Sequence, residues 1–99
     1  AHPAVSHATD YIAEHFRNHA LSLATVSAAI GVSSCYLSSL FHDATGTTFH
    51  NHVRNLRLSS ARELIETTGL THSEIAHRCG LSTSRNLRRA LSQAENRSE

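Results

Sequence analysis

The sequence contains no lysine, no tryptophan and no methionine, and a single proline, Pro3. Without Trp or Met, and with only five aromatic residues, a core must be assembled from Leu, Ile, Val and Ala at helical spacing, which favours helices over sheet. Cysteine is scarce as well. Cys35 and Cys79 lie far apart in helix-like segments, which excludes a secreted disulfide framework and points to a reducing compartment, the cytoplasm. No apolar run approaches the ~20 residues a bilayer span needs, and no basic stretch followed by an apolar block opens the chain, so neither a membrane span nor a signal peptide is expected. A Gly-rich phosphate loop, a recognisable carboxylate pair and a nucleophile beside a base are all missing, so the chain does not read as an enzyme and no cofactor is expected.

Net charge is low too, at +1 over 99 residues. Its distribution says more than its sum. Residues 1–50 carry one Arg against three acids, whereas residues 51–99 carry eight Arg against five Glu. Every permanent cation is therefore a guanidinium, the group that makes paired hydrogen bonds to phosphate or guanine.

The apolar spacing predicts a string of helices. Val5, Ala8, Ile12, Ala13 and Phe16 mark one from 5 to about 18, with Pro3 just before it. Ser22 caps a second, with Leu23, Val26 and Ile30 inward, and Gly31 breaks it. A third runs over 33–44 with Leu37, Leu40 and Phe41 inward, before Gly46. From Thr48 to about Thr67 nothing interrupts, and Phe49, Val53, Leu56, Ala61, Leu64 and Ile65 predict one long helix of about 30 Å, closed by Gly69. Thr71 to Glu74 reads as a capping box opening a fifth helix with Ile75, Ala76 and Cys79 inward. Gly80 ends it, and Ser82 is the expected cap of a last helix, 82–93, anchored by Leu87 and Leu91. Residues 94–99 read as a frayed polar tail.

The second half repeats the first. A shift of 49 pairs Leu21 with Leu70, Val26 with Ile75, Ile30 with Cys79, Gly31 with Gly80 and Ser33 with Ser82. After the turn the shift becomes 50, pairing Leu37 with Leu87 and Phe41 with Leu91. A helix with a small apolar inner face, a Gly turn and an apolar residue after it is what a helix-turn-helix requires, and it occurs twice. The predicted fold is all-α and homeodomain-like, with two tandem helix-turn-helix subdomains, 1–46 and 69–99, joined by a linker helix at 47–68.

These motifs resemble the DNA-binding domain of the AraC/XylS family of bacterial transcription regulators, from about Val5 to Gln93. The resemblance rests on Ser22-Leu23 to Val26, Gly31-Val32-Ser33 to Leu37, Leu40-Phe41, Gly46-Thr47-Thr48-Phe49, Arg57-Leu58 with Ala61 and Leu64-Ile65, and Ile75-Ala76 with Cys79-Gly80-Leu81-Ser82. It implies a seven-helix domain binding double-stranded DNA, with recognition helices at about 33–44 and 82–93 in successive major grooves. RNA polymerase is the further partner it implies, along with an N-terminal effector or dimerisation domain that 99 residues do not hold. The sequence departs from the family in having Leu81, Leu87 and Leu91 where Phe is usual, and in lacking a Gly-x-x-Pro-x-x-Tyr-Arg continuation.

Base contacts must come from the face opposite the anchors. In the second unit these are Ser84, Arg85, Arg88 and Arg89, which also match the family's base-reading positions, with no acid between Glu74 and Glu95. In the first unit they are Ser34, Cys35, Ser38 and Ser39, short side chains that lack the paired donors needed for strong discrimination. Phosphate contacts are expected from the helix starts at Ser22 and Thr71, from Tyr36 and His42, and from Arg54. Arg57 stays open between a phosphate contact and a tie to Glu14 or Asp43. Nine histidines invite a zinc reading, but His15 with His19, or His42 with His50 and His52, supply no third and fourth ligand, and no metal is expected. The competing function is a helical protein-interaction module that does not read DNA.

Overall fold

The computed structural model describes residues 3–97, with side chains placed as far as Gln93. Six helices and no strand occur among the described residues: α1 (Pro3–His15), α2 (Leu23–Ile30), α3 (Ser34–Thr45), α4 (Phe49–Thr67), α5 (His72–Cys79) and α6 (Ser84–Arg97). The seventh helix implied by the resemblance is not among them. Instead α6 continues past Gln93 through Arg97, since nothing after Ser84 breaks it; Ser98 and Glu99 lie outside the described residues.

Pro3 does not precede α1 but occupies its first position, where a missing N–H costs no hydrogen bond. The helix ends at His15, earlier than the sequence pattern suggests, and tapers through Phe16 N–H to Ile12 O (2.8 Å) and Asn18 N–H to His15 O (3.0 Å). Its buried stripe is Val5, Ala8, Ile12 and Phe16. Ala13, expected inward, is exposed because it lies one position off that three- and four-residue spacing.

The two helix-turn-helix units are built alike. Ser22 accepts from Thr25 N–H (3.1 Å) and Thr71 from Glu74 N–H (3.2 Å), each opening the first helix of its unit. Gly31 and Gly80 then adopt left-handed backbone, φ +79° and +85°, and their N–H groups close back on Ser27 O and Ala76 O. Between α2 and α3 the chain bends by 97°. Ser33 caps α3 by accepting from Tyr36 N–H (3.1 Å).

The second turn differs by one residue. Ser82 is not the cap of α6: it takes φ +73°, and Thr83 accepts from Asn86 N–H (3.1 Å) in its place. The residue that changes the repeat from 49 to 50 is thus absorbed as a second left-handed position. Its strain is offset by Asn86 Nδ2 donating to Leu81 O (2.9 Å) and Thr83 N–H to Leu81 O (2.9 Å).

Two cores form, and α4 contributes to both. Val5, Ala8, Ile12, Phe16, Val26, Leu37 and Phe41 enclose the first with Phe49 and Val53; Ala61, Ile75, Ala76, Cys79 and Leu87 make the second. Phe41 and Phe49 meet edge to face at 6.4 Å, whereas the second core has no aromatic among the described residues. Each fully buried large apolar side chain contributes about 1.5–3 kcal/mol. With Ile12, Val26, Leu37 and Phe41 against Ile75 and Leu87, the first unit is the better anchored. Because α4 turns from one core to the other, Leu58 is buried while Ile65, expected inward, stands 38% exposed. Nor does Gly69 close this helix. Thr68, in extended backbone, does so with its N–H and hydroxyl both on Leu64 O, at 2.9 and 2.5 Å.

Candidate nucleic-acid interface

At 3.6 residues per turn, the anchors Leu37, Leu40 and Phe41 turn Cys35, Ser38, Ser39 and His42 to the opposite side of α3. All four are exposed. The same geometry in α6, with Leu87, Ala90 and Leu91 inward, turns out Arg85, Arg88, Arg89 and Ser92, also exposed. The two outer faces correspond by the shift of 50: Cys35 with Arg85, Ser38 with Arg88, Ser39 with Arg89, His42 with Ser92. One surface carries no permanent charge, and the other carries three guanidinium groups on about one and a half turns. Ser92 completes the second face and was legible from that shift.

Ser34 and Ser84 sit at the flank of these faces, half-buried. The Ser34 hydroxyl is held 2.9 Å from that of Ser27, a buried serine that also donates to Ala24 O (3.1 Å). The bond pins the start of α3 to the middle of α2 and gives Ser34 a structural task beside any contact with a base. Tyr36 lies beside the α3 face, 49% exposed. Ser22 is half-buried and Thr71 exposed, each engaged as a helix cap, with further free amides in the first turns of α2 and α5.

Of the three arginines of α4, Arg62 is exposed, whereas Arg54 and Arg57 are half-buried and bonded within the molecule. Arg57 Nε donates to Phe16 O (2.8 Å) and its Nη2 to Asn18 O (3.0 Å). It is an intramolecular tie, but to backbone carbonyls at the end of α1 and not to Glu14 or Asp43. Carbonyls with no intrahelical partner gather at a helix C-terminus, where a cation is favoured. Burial lowers the Arg57 pKa from its ordinary value, and the guanidinium stays charged. Arg54 Nη1 donates to Gln93 Oε1 of α6 (2.7 Å) and Nη2 to Asn51 Oδ1 (2.9 Å), each nitrogen keeping a second hydrogen for another acceptor.

Between the units lies an open cleft of about 510 Å³, lined in part by His19, His50, Arg54, Arg57, Arg89 and Gln93. Its lining comes from four separate segments of the chain, 19–21, 49–57, 80–82 and 86–93, with the arginines on the second and fourth, which no local motif could announce. No three His, Cys, Asp or Glu side chains converge on a metal-sized space among the described residues. Cys35 and Cys79 are both free thiols, one exposed and one buried.

A family model described as a helix-turn-helix domain matches residues 26–98. The xylose operon regulatory protein of Escherichia coli K12 is 36% identical over 81 residues, covering 79% of this chain and 20% of its own length. Among solved structures, the C-terminal domain of the response regulator AraT from Geobacillus stearothermophilus superposes with a TM-score of 0.86 at 32% identity, over 92% of this chain and 78% of that one. The DNA-binding domain of the transcriptional factor AdpA, in complex with a target DNA, does so at 0.83 and 22% identity, over 90% and 79%, a likeness of fold alone. The chain spans about a fifth of the xylose regulator it matches. With two helix-turn-helix units in tandem on one linker helix, the chain belongs to the AraC-type helix-turn-helix family, the DNA-binding domains of transcription regulators.

Proposed function

We propose that this domain reads an asymmetric double-stranded DNA site with α3 and α6 in successive major grooves, and that α6 supplies most of the base discrimination. The observation that carries the reading is the exposed row Arg85, Arg88 and Arg89, facing away from Leu87 and Ala90. A guanidinium pairing with O6 and N7 of guanine is worth about 1–3 kcal/mol of discrimination. The α3 face, with Cys35, Ser38 and Ser39 beside Ser34, fits close approach to bases without such pairs, so the first unit docks more than it specifies. Ser84 adds a short contact at the start of α6.

Phosphates are held by the amides opening α2 and α5 at Ser22 and Thr71, by Tyr36 beside the α3 face and His42 towards its C-terminal end, and by the spare hydrogens of Arg54. The longest dimension of the molecule, 40 Å, accommodates the ~34 Å between major grooves one turn apart. The reading units are residues 1–46 and 69–99, with 47–68 between them. Acting in the cytoplasm on chromosomal DNA, the domain requires no cofactor and catalyses nothing. In the whole protein we place an effector-sensing or dimerisation domain on its N-terminal side and RNA polymerase as a further partner.

The test is duplex titration at two salt concentrations. Affinity that falls as salt rises, with Arg88→Ala or Arg89→Ala weakening a selected site about 5- to 150-fold and a scrambled duplex far less, supports base reading. Equal loss on both duplexes recasts these arginines as phosphate contacts. No binding at low salt favours the protein-interaction module.

A further inference from the structure

The Phe16 carbonyl is touched from two directions. Arg57 of the linker helix donates to it at 2.8 Å, and the turn of the second unit lies directly over it: a Cβ on Gly80 would stand 2.6 Å from Phe16 O and 2.9 Å from Arg17 O. Gly31, at the equivalent turn of the first unit, has nothing within 4 Å of the same construction. The two glycines share a backbone conformation, but only one is in close contact with the other half of the molecule. Across the cleft, Arg54 on the linker reaches Gln93 on α6 at 2.7 Å. Unit one, linker and unit two thus meet at a ledge of backbone carbonyls formed by residues 16–18.

We infer that this ledge, held by Arg57 and seated against Gly80, is a register clamp that fixes the separation and rotation of the two reading helices and so selects the half-site spacing the domain accepts. The inference rests on the DNA reading proposed above and assigns its spacing specificity to residues remote from the bases. The physical reason is geometric. One inserted base pair moves a half-site by about 3.4 Å and about 34° around the duplex, given 10–10.5 pairs per turn. Two units joined by α4 alone could swivel to follow such a change, whereas backbone seated on backbone cannot, because close-packed contacts resist small displacements. Arg57 acts here as a positioning residue.

Two measurements test the clamp, one of which needs no DNA. Spin labels on Ser38→Cys and Ser92→Cys, in a Cys35→Ser background, report the distance between α3 and α6. The clamp predicts a narrow distribution that Arg57→Ala broadens severalfold, Arg57→Lys broadens less, and Gly31→Ala leaves narrow. An unchanged width in Arg57→Ala overturns it. In the second measurement, duplexes carrying both half-sites are spaced at the selected distance and at one pair more or less. The wild type should discriminate by about 10-fold or more, and Arg57→Ala by less than 3-fold, with affinity for an isolated half-site unchanged. Discrimination kept in Arg57→Ala also overturns the clamp. Wild-type protein that fails to bind any duplex overturns the DNA reading instead and leaves the spin-label result to decide the clamp. Gly80→Ala, if it folds, should match Arg57→Ala in both assays; a folded Gly80→Ala indistinguishable from Gly31→Ala counts against the clamp.

Discussion

Replacing Gly80 and Gly31 by Ala, one at a time, separates the cost of a left-handed backbone from the cost of a tertiary contact. The φ values are +85° and +79°, so both substitutions place a Cβ in a region that costs an L-residue about 1–2 kcal/mol, partly offset by the lower entropy of the unfolded chain, about 0.4–1 kcal/mol. For Gly31→Ala nothing else is added, and the net loss should be about 1 kcal/mol. For Gly80→Ala the new methyl meets Phe16 O at 2.6 Å, Arg17 O at 2.9 Å and Arg17 C at 3.0 Å, all backbone atoms that no rotamer can move. Forcing them apart costs as overpacking does, about 1–3 kcal/mol more. It also strains the Arg57 hydrogen bonds to the same ledge. The sum is about 2–4 kcal/mol for Gly80→Ala. At about 4–8 °C per kcal/mol for a domain of this size, its midpoint should fall by about 8–32 °C, against about 4–8 °C for Gly31→Ala. Thermal unfolding followed by circular dichroism measures both. Equal shifts in the two variants would refute the contact assigned to Gly80.

Three further outcomes follow from single residues. Iodoacetamide should alkylate Cys35 in the folded protein and Cys79, fully buried, only on unfolding; a specific duplex should slow the Cys35 reaction if α3 enters a groove, and no protection would count against that placement. Burial holds the His52 pKa below its ordinary 6.5, so the unfolded chain takes up this proton first. Stability should therefore fall as the pH drops from about 6.5 through the lower folded pKa and be fully present above 6.5. His52→Phe, which keeps a ring against Phe41, should flatten that part of a urea-midpoint profile, and an unchanged profile would reject the assignment. Ser27→Ala removes one bond to the Ser34 hydroxyl and one to Ala24 O, and Ala76 at the matching place shows that the turn accepts alanine; a urea titration should register a loss of about 1 kcal/mol, and a loss above 3 kcal/mol would mean the hydroxyl pair does more than the geometry implies.

Local chemistry made much of this fold readable in advance. Ser22, Ser33, Thr48 and Thr71 each accept from the amide three residues on, because a short hydroxyl before an apolar stripe has few better uses. Where two residues competed for one role, the sequence was ambiguous. Ser82 and Thr83 are both capping types, and only the change of shift from 49 to 50, which aligns Ser33 with Thr83 after the turn, distinguishes them. Gly69 is not the stop its residue type suggests, because Thr68 ends the helix one residue earlier with its N–H and hydroxyl both on Leu64 O. Ile65 departs from the single stripe its spacing suggests, and Leu58 joins the buried side, because the helix faces two cores in succession.

The reading faces of α3 and α6 followed from their anchors, since periodicity alone assigns opposite sides. The cleft and the carbonyl ledge did not. Arg57 finds Phe16 O and Asn18 O across about forty residues of sequence, and a backbone carbonyl has no letter in the sequence. Asn86 and Gln93 were likewise invisible, since their partners Leu81 O and Arg54 are chosen by the turn and by the packing of α4 on α6.

The central claim, two unequal reading helices held in fixed register on one duplex, is tested most directly by selecting bound sequences from a random duplex pool. The account predicts an enriched asymmetric site of two elements centred about one helical turn apart, ~10–10.5 base pairs, with the stronger, guanine-containing element lost in a parallel selection with Arg88→Ala. A single enriched element, two elements at variable spacing, or no enrichment above the starting pool would contradict it.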